Sequence, residues 1–111
     1  MNTPGKKFRQ ALADNNPLMV VGAVNAYCAK MAEKAGHKAL YLSGSGVATA
    51  SFGLPDLAIT TLNDVVEDSR RITQATSLPL LIDIDTGFGG AFSISRTIKE
   101  MIAADVAAVH I

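Results

Sequence analysis

Apolar positions along the chain recur in two rhythms, and the rhythms alternate. In residues 6–14, Phe8, Ala11 and Leu12 fall on one face at helical spacing, which predicts a short amphipathic helix. Asn15, Asn16 and Pro17 break it. Residues 18–23 form a short Val-rich run bounded by turn signals, the pattern of a buried strand. Residues 26–35 are strong helix formers, and Gly36 stands where a helix ends in a left-handed residue. Residues 39–42 make a second apolar run, interrupted by Ser43-Gly44-Ser45-Gly46. Residues 47–59 carry Gly53 and Pro55 and read as a long, partly ordered loop. Thr60 or Thr61 caps a helix that runs to about residue 75, with Asp64 in its first turn. Val65, Val66, Ser69, Ile72 and Thr73 supply its inner face. Residues 78–82 are a third apolar run, with Pro79 at the start, where a strand tolerates proline. Residues 91–104 are helical in pattern, and residues 106–111 are a fourth apolar run.

The order is a short helix followed by β-α-β-α-β-α-β. Apolar strands alternating with helices imply a parallel sheet with right-handed crossovers. Two α/β architectures fit, a doubly wound open sheet and a (β/α)8 TIM barrel. Polar, glycine-rich segments follow the second and third strands, where barrel enzymes build their sites. An open sheet would place its site at the same strand ends, so both remain. A full barrel needs roughly 250 residues. As a barrel, residues 1–111 are its N-terminal half, a partial domain cut after the fourth of eight strands. A four-stranded half of this kind exposes an unpaired edge and needs either more chain or a partner.

Composition narrows the partners. The 111 residues include ten basic and ten acidic side chains, so there is no formal net charge. That argues against a nucleic-acid partner, which would call for a basic excess. No apolar run approaches the ~20 residues needed to cross a bilayer, so no membrane partner is expected. The first residues lack the apolar stretch of a secretory signal. Cys28 is the only cysteine, which excludes an intramolecular disulfide and suits a cytoplasmic location. Cys28, Met31, Met101 and His110 read as packing residues, His37 as surface, and Arg70-Arg71 as a solvated pair.

Three segments could carry chemistry. Asp83-Ile84-Asp85 precedes Thr86-Gly87-Phe88-Gly89-Gly90. Carboxylates two apart on a strand share a side, and a hard divalent cation neutralises such a pair with oxygen ligands. The plain alternative is a solvated turn. Ser43, Gly44 and Ser45 follow the second strand, and their N–H groups and hydroxyls could bind an anion as a backbone nest. The alternative is a flexible Gly/Ser loop. Asp56, after Pro55, is either an acid near that site or a turn residue. Tyr41, at the end of the second strand, faces either the core or the site.

The motifs form a recognisable series. Tyr41-Leu42-Ser43-Gly44-Ser45-Gly46-Val47-Ala48, Gly53-Leu54-Pro55-Asp56, Thr61-Leu62-Asn63-Asp64-Val65, Arg70-Arg71-Ile72 and Leu78 through Gly89 stand in order along nearly the whole chain. This series resembles the isocitrate lyase/phosphoenolpyruvate mutase superfamily, and within it the branch that cleaves 2-methylisocitrate to pyruvate and succinate. The resemblance implies a (β/α)8 barrel, Mg²⁺ as cofactor, a small-molecule substrate and a homo-oligomer, usually a tetramer. It implies Asp83 and Asp85 as metal-associated carboxylates, Asp83 also at the substrate, and Ser43, Gly44 and Ser45 as the substrate loop. Asp56 and Tyr41 match catalytic-site positions. The family's loop often reads Ser-Gly-Gly, where this chain has Ser45 in third place, and Cys28 stands where histidine is common. The family's glutamate after the fourth strand and its Lys-Lys-Cys-Gly-His loop, which carries the proton donor, lie past Ile111. The segment alone is therefore expected to be inactive. Two further readings stay open: a relative acting on phosphonopyruvate, oxaloacetate or dimethylmalate, and a non-catalytic half-barrel that needs a partner chain.

Overall fold

The computed structural model describes residues 2–111. Helix α1 spans Pro4–Asp14. It starts two residues before the predicted point because Thr3 caps it, accepting the Lys6 N–H at 3.3 Å, and Pro4 fits a first turn that needs no N–H. Leu12 is exposed rather than part of an inner face, and α1 buries no residue fully. The helix lies against the N-terminal end of the sheet. A Cβ on Gly5 would sit 3.4 Å from the Ala107 carbonyl oxygen.

Strand β1 (Val21–Gly22) is shorter than residues 18–23 suggest. Helix α2 (Ala26–Lys34) is capped by the Asn25 side chain, which accepts the Cys28 N–H at 2.9 Å. It ends as expected, with Gly36 at φ +94°. Ala29 and Ala32 form its buried stripe, with Cys28 half-buried beside them. Met31 lies off that stripe and is exposed, contrary to expectation. Strand β2 (Leu40–Leu42) leads into a helical turn, α3 (Gly44–Gly46), which continues as a π-helical turn, Val47–Ser51. The expected loop over residues 47–59 is therefore helical in its first five positions, because Val47 and Ala48 are pulled into the core.

Helix α4 (Leu62–Ala75) carries the capping box that Thr61 and Asp64 promise. The Thr61 N–H donates to Asp64 Oδ2 at 2.8 Å, and the Asp64 N–H donates to Thr61 Oγ1 at 3.4 Å. Val65, Val66, Ser69 and Ile72 are buried as predicted, and Asp68 is buried with them. Strand β3 (Leu80–Asp83), helix α5 (Ala91–Ala103) and strand β4 (Ala108–His110) complete the order. Met101 is fully buried as expected.

The four strands are parallel and run β1-β2-β3-β4 across the sheet. A doubly wound sheet reverses its strand order at a switch point, and this sheet does not. Burial separates the architectures further. Leu40, Leu42, Leu80, Ile82 and Ile84 are fully buried, whereas the intervening Tyr41, Leu81 and Asp83 are only partly covered. Helices thus cover one face alone, as in consecutive βα units of a barrel, where a doubly wound sheet carries them on both. Each fully buried Leu or Ile contributes about 1.5–3 kcal/mol by leaving water.

His110 is level with Asp83 in the register. Val109 packs against the core, so His110 projects to the opposite, uncovered face and is exposed. Its expected place in the core does not hold.

Candidate functional site

Strand alternation sends Tyr41 and Asp83 to the uncovered face near the C-terminal ends of β2 and β3. Partial burial first, and the Asp83 carboxylate second, hold the Tyr41 phenol above its ordinary value of 10.0. Tyr41 is thus a neutral hydroxyl at physiological pH. It can donate a hydrogen bond but is a poor base.

Asp85 does not continue the strand alternation that would set it beside Asp83. The strand ends at Asp83, and Asp85 adopts φ +51° in a turn closed by the Gly87 N–H on the Ile84 carbonyl at 2.8 Å. Asp is one of the few side chains that tolerate this conformation. The Asp85 N–H donates to Asp83 Oδ1 at 2.9 Å, so the first carboxylate fixes the backbone that carries the second. The glycines after them have a specific reason to be there. Gly87 has φ +91°, and a Cβ on it would lie 2.5 Å from Ile94 Cγ1. The Thr97 hydroxyl, fully buried on α5, is shared between the carbonyls of Gly87 at 2.8 Å and Ser93 at 3.0 Å. Thr97 therefore pins the turn.

Ser43 caps α3, its Oγ accepting the Gly46 N–H at 3.3 Å. Gly44 and Gly46 are not left-handed, so the segment is a helix start rather than the expected nest. Helix starts present unpaired N–H groups, which keeps the anion-binding chemistry by a different geometry. Ser45 sits inside the helical turn, so serine is accommodated in third place. A Cβ on Gly44 would lie 3.8 Å from Asp83 Oδ2, which brings this turn directly against the carboxylate.

Asp56 lies exposed in the segment after the π-helical turn. Among the described residues no hydrogen bond or ion pair joins it to Asp83 or Asp85. The fold therefore brings Tyr41 and Gly44 against Asp83, with Ser43 next to Gly44 and the Asp85 backbone tied to Asp83, while Asp56 stands exposed in a separate segment. No cluster of three or more His, Cys, Asp or Glu side chains forms among the described residues. A carboxylate with a second acid two residues on is still a hard-oxygen donor set, and Mg²⁺ commonly takes one or two carboxylates and fills the rest with water and substrate. The residues present fit that ion. The sequence reading missed Thr97 and Asp68. Both are polar residues on an apolar helix stripe, Thr97 four before Met101 and Asp68 three after Val65, and a buried polar group at such a position needs a partner.

Fold and site define a class: an α/β-barrel segment with its polar groups at the strand ends where barrel enzymes build active sites. The chain belongs to the family described as phosphoenolpyruvate phosphomutase, whose model matches residues 8–111. A 2-methylisocitrate lyase of Vibrio cholerae serotype O1 is 64% identical over 108 residues, covering 97% of this chain and 35% of that protein. Among solved structures, an oxaloacetate acetylhydrolase superimposes with a TM-score of 0.89 at 34% identity, covering 98% of this chain and 39% of that one. A phosphonopyruvate hydrolase complexed with oxalate and Mg²⁺ superimposes with a TM-score of 0.81 at 35% identity, covering 96% of this chain and 38% of that one. This chain spans about a third of the length of the curated relatives it matches. No described helix is long and apolar enough to cross a membrane.

Proposed function

We propose that this chain is the metal- and anion-binding portion of a Mg²⁺-dependent lyase that cleaves 2-methylisocitrate to pyruvate and succinate. The single observation that carries the substrate is the 64% identity to a 2-methylisocitrate lyase. The solved relatives named for oxaloacetate and phosphonopyruvate stand at 34% and 35%.

In retro-aldol cleavage a base takes the proton of the substrate hydroxyl as the adjacent carbon–carbon bond breaks. The hydroxyl oxygen becomes the carbonyl of pyruvate, and the electron pair left on the succinate carbon takes up a proton. Asp83 and Asp85 would hold Mg²⁺, which supplies electrophilic stabilisation to the reacting oxygen. The first N–H groups of α3, with the Ser43 and Ser45 hydroxyls, bind and orient the carboxylate of the pyruvate portion. Tyr41, kept neutral, donates a hydrogen bond beside Asp83. Asp56 would match the family's further acid near the metal. The proton returned to succinate comes from the family's cysteine loop, so residues 1–111 form a partial barrel that is inactive alone. The propionate-consuming pathway, a cytoplasmic location and a homotetramer follow from the same reading.

The test is pyruvate release from 2-methylisocitrate by the full-length protein with Mg²⁺ and after chelation. Turnover that needs both supports the proposal. Turnover of a phosphonate or of oxaloacetate with methylisocitrate inert overturns the substrate.

A further inference from the structure

Asp68 is an acid buried on the inner stripe of α4 at 5% exposure, outside the site. Its Oδ2 accepts the Ser51 hydroxyl at 2.6 Å. Its Oδ1 accepts Arg71 Nη1 at 3.1 Å, and Arg71 Nη2 is held in turn by Glu67 Oε1 at 2.6 Å. Ser51 is the last residue of the π-helical turn that continues α3. One end of this helical segment is therefore tied to α4 through a carboxylate, and the other end carries Ser43, Gly44 and Ser45 against Asp83.

The segment is short and its backbone is irregular. Turns of the π type are rarely stable alone. Val47 and Ala48 anchor its middle by burial, and the Thr49 hydroxyl bonds the Ser45 carbonyl at 2.8 Å within it. Burial of Val47 and Ala48 sets which face turns inward, and the Leu54 N–H on the Ala48 carbonyl at 2.9 Å ties the middle, but neither holds the segment's last residue. The charge-assisted hydrogen bond at Ser51 fixes that end, and such bonds are roughly twice as strong as neutral ones. A small rotation would swing the N–H groups of Gly44 and Ser45 relative to Asp83.

We propose that Asp68, acting through Ser51, is a positioning residue that fixes the register of residues 43–51 and so the aim of the substrate-binding turn. The inference rests on the reading of Ser43, Gly44 and Ser45 as that turn. Arg71 orients the Asp68 carboxylate through Oδ1, and Asp68 itself touches no substrate.

The experiment uses the full-length protein carrying Ser51→Ala, Asp68→Asn and Ser51→Thr. Steady-state kinetics with 2-methylisocitrate and Mg²⁺ are paired with amide hydrogen exchange over residues 43–52. Ser51→Ala should raise KM about tenfold with a smaller change in kcat, the size of one lost charge-assisted hydrogen bond. Exchange over residues 43–52 should quicken while that of residues 62–75 stays unchanged. Ser51→Thr, which keeps the hydroxyl, should restore both. Wild-type KM in Ser51→Ala overturns the proposal, and so does unchanged exchange. If Asp68→Asn fails to fold, the Ser51 pair still decides. If even the wild type turns over no methylisocitrate, quickened exchange in Ser51→Ala supports the positioning link and the substrate reading alone fails.

Discussion

On the helix-facing side of the sheet, Leu40, Leu42, Leu80, Ile82 and Ile84 are sealed from solvent. On the other side of the same strands, Tyr41, Leu81 and Asp83 are half-covered, and His110 is exposed. The two sets interleave residue by residue, yet they obey different rules. One side is apolar and packed, and its contribution is stability. The other sets a carboxylate, a neutral phenol and a helix start together at one end. The pleat thus lets one strand serve both purposes at adjacent positions, and substitutions one residue apart should have effects of different kinds.

The sharpest contrast is between neighbours on β3. Asp83→Ala in the full-length protein should lower kcat by about 10²–10³-fold, the cost of removing one preorganised electrostatic group. Its urea midpoint should stay close to wild type. Ile82→Ala, one residue away, should do the reverse. It should cost about 3 kcal/mol in urea unfolding through the cavity it leaves, with KM unchanged in the protein that remains folded. A large stability loss in Asp83→Ala, or a normal midpoint in Ile82→Ala, would break the division.

Thr97→Val tests a residue that belongs to both sides. It removes the hydroxyl that holds the Gly87 carbonyl, so it should cost about 1–2 kcal/mol of stability and also weaken Mg²⁺ binding, read by isothermal titration. Smallest is Thr61→Ala, which opens the capping box of α4. About 1 kcal/mol should be lost in urea unfolding, with kcat changed far less than in Asp83→Ala.

Much of this division is legible in the sequence. The helix-facing strand positions are apolar, and burial of one face imprints the βα rhythm, so the four strands and three crossover helices fall near their expected places. Gly36 and Thr61 mark a helix end and a helix start through local backbone chemistry, which sequence shows directly. The π-helical turn was not legible. Val47-Ala48-Thr49-Ala50-Ser51 has no helical stripe of its own, and what orders it is tertiary, the burial of Val47 and Ala48 and the pull of Asp68 on Ser51.

At the site, Asp83 and Asp85 were visible as a pair, but the reason they are coupled was not. Alternation would have held only if β3 ran on, and instead a left-handed residue turns the chain and a carboxylate-to-backbone hydrogen bond ties the two together. Met31 and His110 leave the expected core for one reason. Residue type does not carry the face a side chain occupies, and both sit off the stripe that their neighbours bury.

The most direct test of the account is Mg²⁺ titration of the full-length protein and its Asp83→Asn variant, followed by pyruvate release from 2-methylisocitrate. The account predicts saturable Mg²⁺ binding and Mg²⁺-dependent pyruvate release in the wild type, with both lost or severely weakened in Asp83→Asn. Pyruvate release of wild-type magnitude in the variant, or release from the wild type that persists after chelation, would contradict it.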